Sequence, residues 1–347
     1  MALSKKPPKW TSDRYDQEIH IRKHIFTIRE KITKKYWFNE YLTPLIEDAS
    51  IYEAKSWEEV WWTELTYISN RSGTQSNQVI RPEMTPSINR LITNFYDEKP
   101  KPIKMFSIAN FLRNEKPQRG RNREFWQLNV DIFGDNSIAS DIEILMLCMD
   151  IMHEFGASSN ARTCKINHRE LINHVITALH CTKDQGYKIT KIMDKRDKIE
   201  SNKRTEELKK IDIDVDIIQK IYSYMSITNL NDLKNILPSI EESESFQRLN
   251  KIIDTLHNLG YKNIQFHPSI IRGLDYYNWM IFEFFDNHPD NQRAIFWWGR
   301  YNWLSEIFWY ESIPAVWVGP WDEPTKLFLE SRDLLNNKLQ TNNSYFL

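Results

Sequence analysis

Glycine is the residue that this chain conspicuously lacks. The 347 residues include 9 glycines and 13 tryptophans, whereas glycine normally makes up about 7% of a protein. Cysteine is also scarce. Cys148, Cys164 and Cys181 have neither the spacing of a zinc site nor the even number of a disulfide framework. This scarcity favours a reducing, cytoplasmic compartment.

Two further absences exclude whole classes of protein. No apolar run is long enough to span a membrane, and the N-terminal "MALSKKPPKW" lacks the apolar core of a signal peptide. The net charge is −1, so any contact with nucleic acid must come from a local basic patch. With 41% hydrophobic residues, the chain can form two or three globular domains.

Helical patterns occur in several parts of the chain. A helix is predicted from a cap at Ser12 or Asp13 to about Tyr36, because isoleucines recur on one face. Pro86 is placed just inside the start of a second helix. The capping-box spacing of "SDIE", 140–143, predicts a third helix that ends at Gly156. Residues 170–258 are predicted to form a mostly helical insertion.

Two strand-like runs, "IKMFSIANFLRNE" and "FWQLNVDIFG", predict an antiparallel hairpin with a long basic loop. Period two places Gln127 and Asp131 on one face of the second strand. Arg113 and Glu115 are predicted to lie opposite them. A forked guanidinium, carboxylates and an amide on one face suggest a pocket for a zwitterion next to a phosphate.

Other interpretations of these stretches stay open at this point. The Arg113 face is alternatively a solvated surface with ion pairs. The loop "KPQRGRNRE" is either an exposed hairpin tip or a clamp for polyphosphate or the acceptor end of an RNA. "RGLDYYNW" contains either a second phosphate-binding arginine, Arg272, with tyrosines around a polar pocket, or a strand start with core aromatics.

Four stretches in this order resemble the signatures of histidyl-tRNA synthetase, a class II aminoacyl-tRNA synthetase: "RPEMTPSINR", "FLRNEKPQRGRNREFWQLNVDIFG", "RGLDYYNWMIFEF" and "WWGRYNWL". The resemblance covers nearly the whole chain, and "YLTPLIE" around Pro44 is similar to motif 1 at the dimer interface. It implies an α+β fold and a homodimer. The sheet would be mostly antiparallel, six-stranded and flanked by helices, with a helical insertion.

The same resemblance implies a division of the chain. Residues 1–169 would form the first part of the catalytic core with motifs 1 and 2, and 170–258 the helical insertion. Residues 259–332 would form the second part of the core with "RGLDYY" and motif 3. Residues 333–347 would be the truncated start of an anticodon-binding domain, or a tail.

Roles for individual residues also follow from the resemblance alone. Arg113 and Arg272 would be catalytic and would bind the α-phosphate of ATP. The chain would join histidine to tRNA(His) through histidyl-adenylate, with Mg²⁺ accompanying ATP and no metal site in the protein. The other ATP-binding residues would be Glu115, Arg121, Arg123 and Phe125, with Phe125 stacking on adenine; the histidine-binding residues would be Glu83, Thr85, Gln127, Asp131, Tyr276, Tyr277 and Tyr301.

Motif 3 departs from the family pattern. It normally ends in an arginine that contacts the γ-phosphate, but "VWVGPWDEP" has Asp322, Glu323 and Pro324 there. An alternative function is the regulatory subunit of ATP phosphoribosyltransferase, which the short C-terminus favours. The complete set of arginines favours the enzyme. A third possibility is an inert relative that only dimerises.

The tryptophans stand where the family has glycine. Opposite "FWWGRYNWL" the family has three glycines and then Arg-Tyr-Asp-Gly-Leu. A bulky residue at positive φ costs about 1–2 kcal/mol and overpacking about 1–3 kcal/mol, against about 5–15 kcal/mol of total stability. We hypothesise that UGA codons are read as glycine here; a degenerate paralogue is the rival explanation. The tryptophans concerned are all except Trp126: Trp10, Trp37, Trp57, Trp61, Trp62, Trp279, Trp297, Trp298, Trp303, Trp309, Trp317 and Trp321.

Overall fold

The computed structural model describes residues 3–54, 64–114, 118–194, 199–270, 280–291 and 294–335. Several predictions fall outside these ranges. They concern Glu115, Arg272, Tyr276 and Tyr277 of the site, and Trp57, Trp61, Trp62 and Trp279 among the tryptophans.

A large mixed sheet and a small sheet organise the chain. The large sheet has the strand order β1-β5-β6-β11-β10-β9-β7-β8, and the small one has the order β2-β4-β3. The strands are β1 (Asn39–Glu40), β2 (Ile46–Asp48), β3 (Thr66–Ser69), β4 (Gln75–Ile80), β5 (Ile103–Leu112), β6 (Glu124–Phe133), β7 (Arg162–His168), β8 (Ile264–Phe266), β9 (Met280–Asp286), β10 (Ala294–Tyr301) and β11 (Ala315–Val318).

The predicted antiparallel sheet is confirmed, but its strand number was wrong. Six strands pair antiparallel, from β5 to β7, and β1 and β8 add one parallel strand at each edge. These two edge strands contain two and three residues. They are too short to give a period-two pattern, so the sequence could not reveal them.

Helices cover the sheet and fill the stretch between β7 and β8. The described part of that stretch contains helices α5 to α10, whose apolar residues join the main core, and α10 packs on α4. The helices are α1 (Gln17–Lys35), α2 (Ser50–Glu53), α3 (Thr85–Thr93), α4 (Ile138–Glu154), α5 (Arg169–Ala178), α6 (Lys183–Asp194), α7 (Ser201–Lys209), α8 (Val215–Ser226), α9 (Leu233–Ile236), α10 (Glu244–Asn258) and α11 (Asp322–Glu330).

Two predicted helix starts were wrong, and one was right. α1 begins at Gln17, beyond Ser12 and Asp13. α4 is capped by Ser137, whose hydroxyl accepts a hydrogen bond from the Ala139 amide at 3.2 Å, so the "SDIE" stretch lies inside the helix. α3 begins with a proline in its first turn as predicted. Among the described helices, none is long and apolar enough to cross a membrane.

The β5–β6 hairpin is confirmed, with a continuous register from Ile103 opposite Phe133 to Leu112 opposite Glu124. One face of β6 packs into the main core against α1 and α11. The other face carries the polar residues. Gln127 lies opposite Ala109 and Asp131 opposite Met105. Arg113 was therefore misplaced by the sequence pattern, because it follows the end of β5.

Candidate active site

The site-facing side of β6 carries Phe125, Gln127 and Asp131, which alternate with core residues. This face is covered by the start of α3 and by residues of β10 and β11. The small side chains of Ser107 and Ala109 lie on the paired face of β5, next to Asn129 and Gln127. The period-two pattern therefore brings an aromatic ring, an amide and a carboxyl group into one row.

Arg113 and Phe125 form one end of this row. The Nε atom of Arg113 donates a hydrogen bond to the Pro82 carbonyl at 2.9 Å, and its Cζ atom lies 5.3 Å from the centroid of the Phe125 ring. Phe125 stacks on Phe111 with 5.6 Å between ring centroids. Arg113 is 3% exposed, so its guanidinium is held in place before any ligand arrives.

The basic loop joins this end of the row. The Cζ atom of Arg121 lies 5.7 Å from the centroid of the Trp321 ring, and that ring also lies 5.4 Å from the Cζ atom of Arg113. The Arg123 carbonyl accepts a hydrogen bond from the Arg113 amide at 2.9 Å. The predicted ATP residues Arg113, Arg121, Arg123 and Phe125 are thus brought together.

Asp131 and Tyr301 form the other end of the row. The Tyr301 hydroxyl donates a hydrogen bond to Asp131 Oδ1 at 3.0 Å. Asp131 is completely buried, and burial raises its pKa from 3.8 to about 7, although the hydrogen bond from Tyr301 and the nearby Tyr41 hydroxyl oppose that rise. This carboxyl group is therefore poised to change charge near neutral pH.

The start of α3 lies against the same end. Glu83 and Thr85 are each 3% exposed. Asn89 donates hydrogen bonds from Nδ2 to the Thr85 carbonyl at 2.8 Å and to the Tyr301 hydroxyl at 3.3 Å. This network connects Thr85 to Tyr301 and therefore to Asp131. Gln127 donates to Asn129 Oδ1 at 2.5 Å within β6.

Sequence reasoning missed Asn89 and Tyr41. Both are buried polar side chains near the Asp131 carboxyl group: Tyr41 lies close to it, and Asn89 is connected to it through Tyr301. Asn89 lies four residues after Thr85, on the same side of α3, and that spacing was a usable indication. Tyr41 lies just past a two-residue strand, so no local pattern marks it.

Two tryptophans occupy the space in front of this row. Trp321 stacks on Phe125 with 4.5 Å between ring centroids. Trp317 lies opposite Asp131 in the β6–β11 pairing, and its ring centroid is 5.2 Å from that of Trp297. A Cβ atom built on Gly319 would lie 2.3 Å from the Trp317 ring. The site face is thus crowded by indole rings.

The altered end of motif 3 is tied to the N-terminal region. Asp322 Oδ1 accepts a hydrogen bond from the Trp126 amide at 3.1 Å, and its Oδ2 lies 3.4 Å from Arg22 Nη2. Arg14 Nη2 lies 2.8 Å from Glu323 Oε2. Where the family has an arginine, this chain has carboxylates neutralised by arginines from the segment before α1 and from α1.

The described residues contain no group of three or more His, Cys, Asp and Glu side chains that could hold a metal ion.

A family model described as histidyl-tRNA synthetase matches residues 13–316. The chain belongs to the histidyl-tRNA synthetase family. A histidine–tRNA ligase of Leptospira biflexa is 34% identical over 332 residues, which cover 95% of this chain and 75% of the relative. A histidine–tRNA ligase of Halobacterium salinarum is 30% identical over 336 residues, covering 96% and 77%.

Solved structures of the histidyl-tRNA synthetase type share the fold. A Bacillus halodurans structure, titled as an ATP phosphoribosyltransferase regulatory subunit/histidyl-tRNA synthetase, has a TM-score of 0.81 at 17% identity and covers 95% of this chain and 84% of its own. The histidyl-tRNA synthetase of Nostoc sp. PCC 7120 has a TM-score of 0.79 at 20% identity, covering 96% and 77%. The predicted family and fold class are confirmed.

Proposed function

We propose that this chain is a histidine–tRNA ligase, which activates histidine with ATP and transfers it to tRNA(His). One observation carries the proposal. A single face of β6 holds the Phe125 ring beside the Arg113 guanidinium at one end and the buried Asp131–Tyr301 pair at the other. A nucleotide phosphate and a small zwitterion can bind side by side there.

Arg113 performs the electrostatic part of the first step. In that step an oxygen of the histidine carboxylate attacks the α-phosphorus of ATP, and the bond from this phosphorus to the pyrophosphate oxygen breaks. Negative charge accumulates on the α-phosphate oxygens. A guanidinium fixed by the Pro82 carbonyl at 2.9 Å stabilises this charge without having to reorganise. Arg272 is proposed to contact the same α-phosphate, with Glu115, Arg121 and Arg123 holding the remainder of the nucleotide.

Asp131 recognises the amino acid. Its carboxylate, oriented by Tyr301, accepts a hydrogen bond from a cationic group of histidine. Binding of that cation favours the charged form of Asp131 and offsets the burial that raises its pKa. Glu83, Thr85, Gln127, Tyr276 and Tyr277 are proposed to complete the histidine pocket.

Mg²⁺ would arrive with the phosphates of ATP. The described residues offer no three-ligand cluster of their own, and the hard cation prefers phosphate oxygens, water and one or two carboxylates. When bound, Mg²⁺ would neutralise charge on the leaving pyrophosphate.

Dimerisation through motif 1 is part of the proposal. Leu42, Leu45 and Ile46 are 75%, 43% and 46% exposed, respectively. Three neighbouring exposed aliphatic side chains favour a protein interface. We also propose the division into a core, 1–169 and 259–332, and an insertion, 170–258.

The test is histidine-dependent exchange of pyrophosphate into ATP. It is run on the chain as printed and on a version with glycine at the twelve tryptophan positions named above, called here the glycine version. The ligase is supported if the protein catalyses this exchange and charges tRNA(His), and if the exchange is lost in Arg272→Ala. Histidine binding without exchange supports the regulatory alternative, and neither activity supports the inert relative.

A further inference from the structure

We infer that the functional protein carries glycine at Trp10, Trp37, Trp309, Trp317 and Trp321. The first three are marked by their backbone. Among the described residues, seven that are not glycine have positive φ. Four of these are aspartate or histidine, which tolerate the left-handed region better than most residues. The other three are Trp10, Trp37 and Trp309, with φ of 69°, 64° and 57°.

Trp37 occupies the glycine position of a helix C-terminal motif. The Phe38 amide donates to the Thr33 carbonyl at 3.3 Å, and the Trp37 amide donates to the Lys34 carbonyl at 3.0 Å. These two bonds define a Schellman motif, in which the first residue beyond the helix cap is left-handed and is usually glycine. The local hydrogen bonding therefore favours glycine at position 37, independently of the family pattern.

Trp10 and Trp309 occupy equivalent positions in other turns. Trp10 is the third residue of a turn closed by the Thr11 amide and the Pro8 carbonyl at 3.2 Å, where positive φ calls for glycine. Trp309 ends a short 3-10 helix with φ 57° and ψ 33°. The three residues are 49%, 83% and 99% exposed in the order Trp10, Trp37, Trp309. Their indoles therefore gain little packing that could offset the backbone strain.

Trp317 and Trp321 are marked by their position in the site, an argument that rests on the proposed function. The Trp321 indole stacks on Phe125 and lies beside Arg113 and Arg121. This is the place that the proposal assigns to the adenine ring. Trp317 lies opposite Asp131 and fills the neighbouring space. With glycine at both positions, the row on β6 becomes open to ligands.

A single cause accounts for both sets. If UGA is read as glycine, every such codon appears as tryptophan in a standard translation. Trp126 provides a control within the same chain. It packs on Phe26 with 5.3 Å between ring centroids on the core side of β6, where an aromatic residue belongs. The inference requires UGA at the five positions and UGG at Trp126.

The first experiment reads the codons and measures peptide masses of the protein isolated from cells that carry the gene. Glycine masses at the five positions with tryptophan at 126 are expected. UGG codons, or tryptophan masses at these positions, overturn the inference whatever the activity of the protein.

The second experiment measures ATP binding by calorimetry. Tryptophan restored at 321 alone in the glycine version is expected to weaken ATP binding at least tenfold. Tryptophan restored at the exposed position 309 should change it less than twofold. Equal affinity in the chain as printed and the glycine version would overturn the assignment of Trp321. If the glycine version binds ATP and histidine without exchange, the proposed function fails and the inference stands.

Discussion

The β5–β6 and β10–β11 hairpins contribute side chains to the same face of the sheet, but side chains of opposite kinds. The first places the small side chains of Ser107 and Ala109 beside its polar residues. The second places Trp297 and Trp317 there, with ring centroids 5.2 Å apart. The first hairpin is built like a binding site, and the second is filled like a core. Since both belong to one sheet, the contrast indicates that the sequence of the second hairpin conflicts with the use of the first.

Hydrogen bonding separates the polar residues of the row from the tryptophan in front of it. Arg113 and Asp131 have specific partners in Pro82 and Tyr301. Trp321 lies between β11 and α11, and its buried Nε1 has no hydrogen-bond partner among the described residues, although a buried indole N–H normally has one. The indole that stacks on Phe125 is therefore also unsatisfied as a hydrogen-bond donor.

The largest expected effect tests whether the first hairpin is a catalytic site. Arg113→Ala in the glycine version should lower kcat/KM for pyrophosphate exchange about 100- to 1000-fold, because a fixed cation is lost at the developing charge. Arg71→Ala, in the exposed loop after β3, is the control and should keep parental activity. A loss under threefold at Arg113 would remove it from the mechanism.

The second test compares tryptophans directly. In the chain as printed, Trp126→Ala should reduce the free energy of unfolding by about 2 kcal/mol, because the packing of a half-buried aromatic ring is lost. Trp37→Gly should increase it by about 1 kcal/mol, because left-handed strain is relieved. Urea unfolding curves measure both. Destabilisation of similar size at both positions would contradict the distinction between them.

The third test concerns Asp131. Its raised pKa of about 7 means that the carboxyl group of the free protein is neutral below that pH and charged above it. In the glycine version, kcat/KM for histidine should therefore rise from pH 6 to pH 8. Asp131→Asn should lower kcat/KM for histidine about tenfold at pH 8, and it should remove the part of the pH-dependent rise that is due to Asp131. Titration of free histidine is common to both proteins, so only the difference between their profiles counts.

The stability of the fold should change with pH in the opposite direction to kcat/KM for histidine, because of the same carboxyl group of Asp131. Because the folded pKa lies above the ordinary value of 3.8, the fold favours the neutral form, and stability is lost as pH rises from about 4 to about 7. Asp131→Asn should therefore raise Tm at pH 8 by at least about 2 °C, and by less at pH 4. An equal change at both pH values would argue against a titrating carboxyl group.

The smallest expected effect tests the N-terminal contact with motif 3. Arg14→Met removes the ion pair with Glu323 at 2.8 Å and should raise KM for ATP about threefold, the size of a single partly exposed pair, while KM for histidine stays constant. Lys31→Met breaks a pair with Glu154 elsewhere on α1 and is the matched control. Parallel changes in both KM values would indicate only a general loss of structure.

The sequence predicted the hairpin well, and it predicted the ends of helices poorly. Period two in β6 was sufficient to separate Gln127 and Asp131 from the core face, because burial in a strand follows alternation directly. The caps of α1 and α4 were misassigned because serine and aspartate are common near helix starts, and only tertiary packing selects one of them. Tyr41 could not be found, because its contact with Asp131 joins residues far apart in the chain.

The roles of individual residues were predicted from the family resemblance, whereas the unsuitability of some tryptophans also follows from backbone geometry. Nothing local distinguishes Arg113 as catalytic. By contrast, Trp37 and Trp309 could be recognised as misfits from the family pattern, and their φ values then gave an independent reason. Asn89 lies between these cases, since a buried amide on an apolar helix face suggests a structural or binding role without saying which.

α10 has a consequence for any attempt to shorten the protein. It packs on α4, β7 and β8, and β7 and β8 are parallel neighbours. α10 thus serves as the crossover that a parallel pair requires. An excision of residues 170–258 would cut away this connection and release the sheet's outer strand. A shortened protein that keeps α10 and lacks only helices before it would keep β8 at the edge of the sheet. The last helix of the insertion is therefore a structural part of the catalytic core.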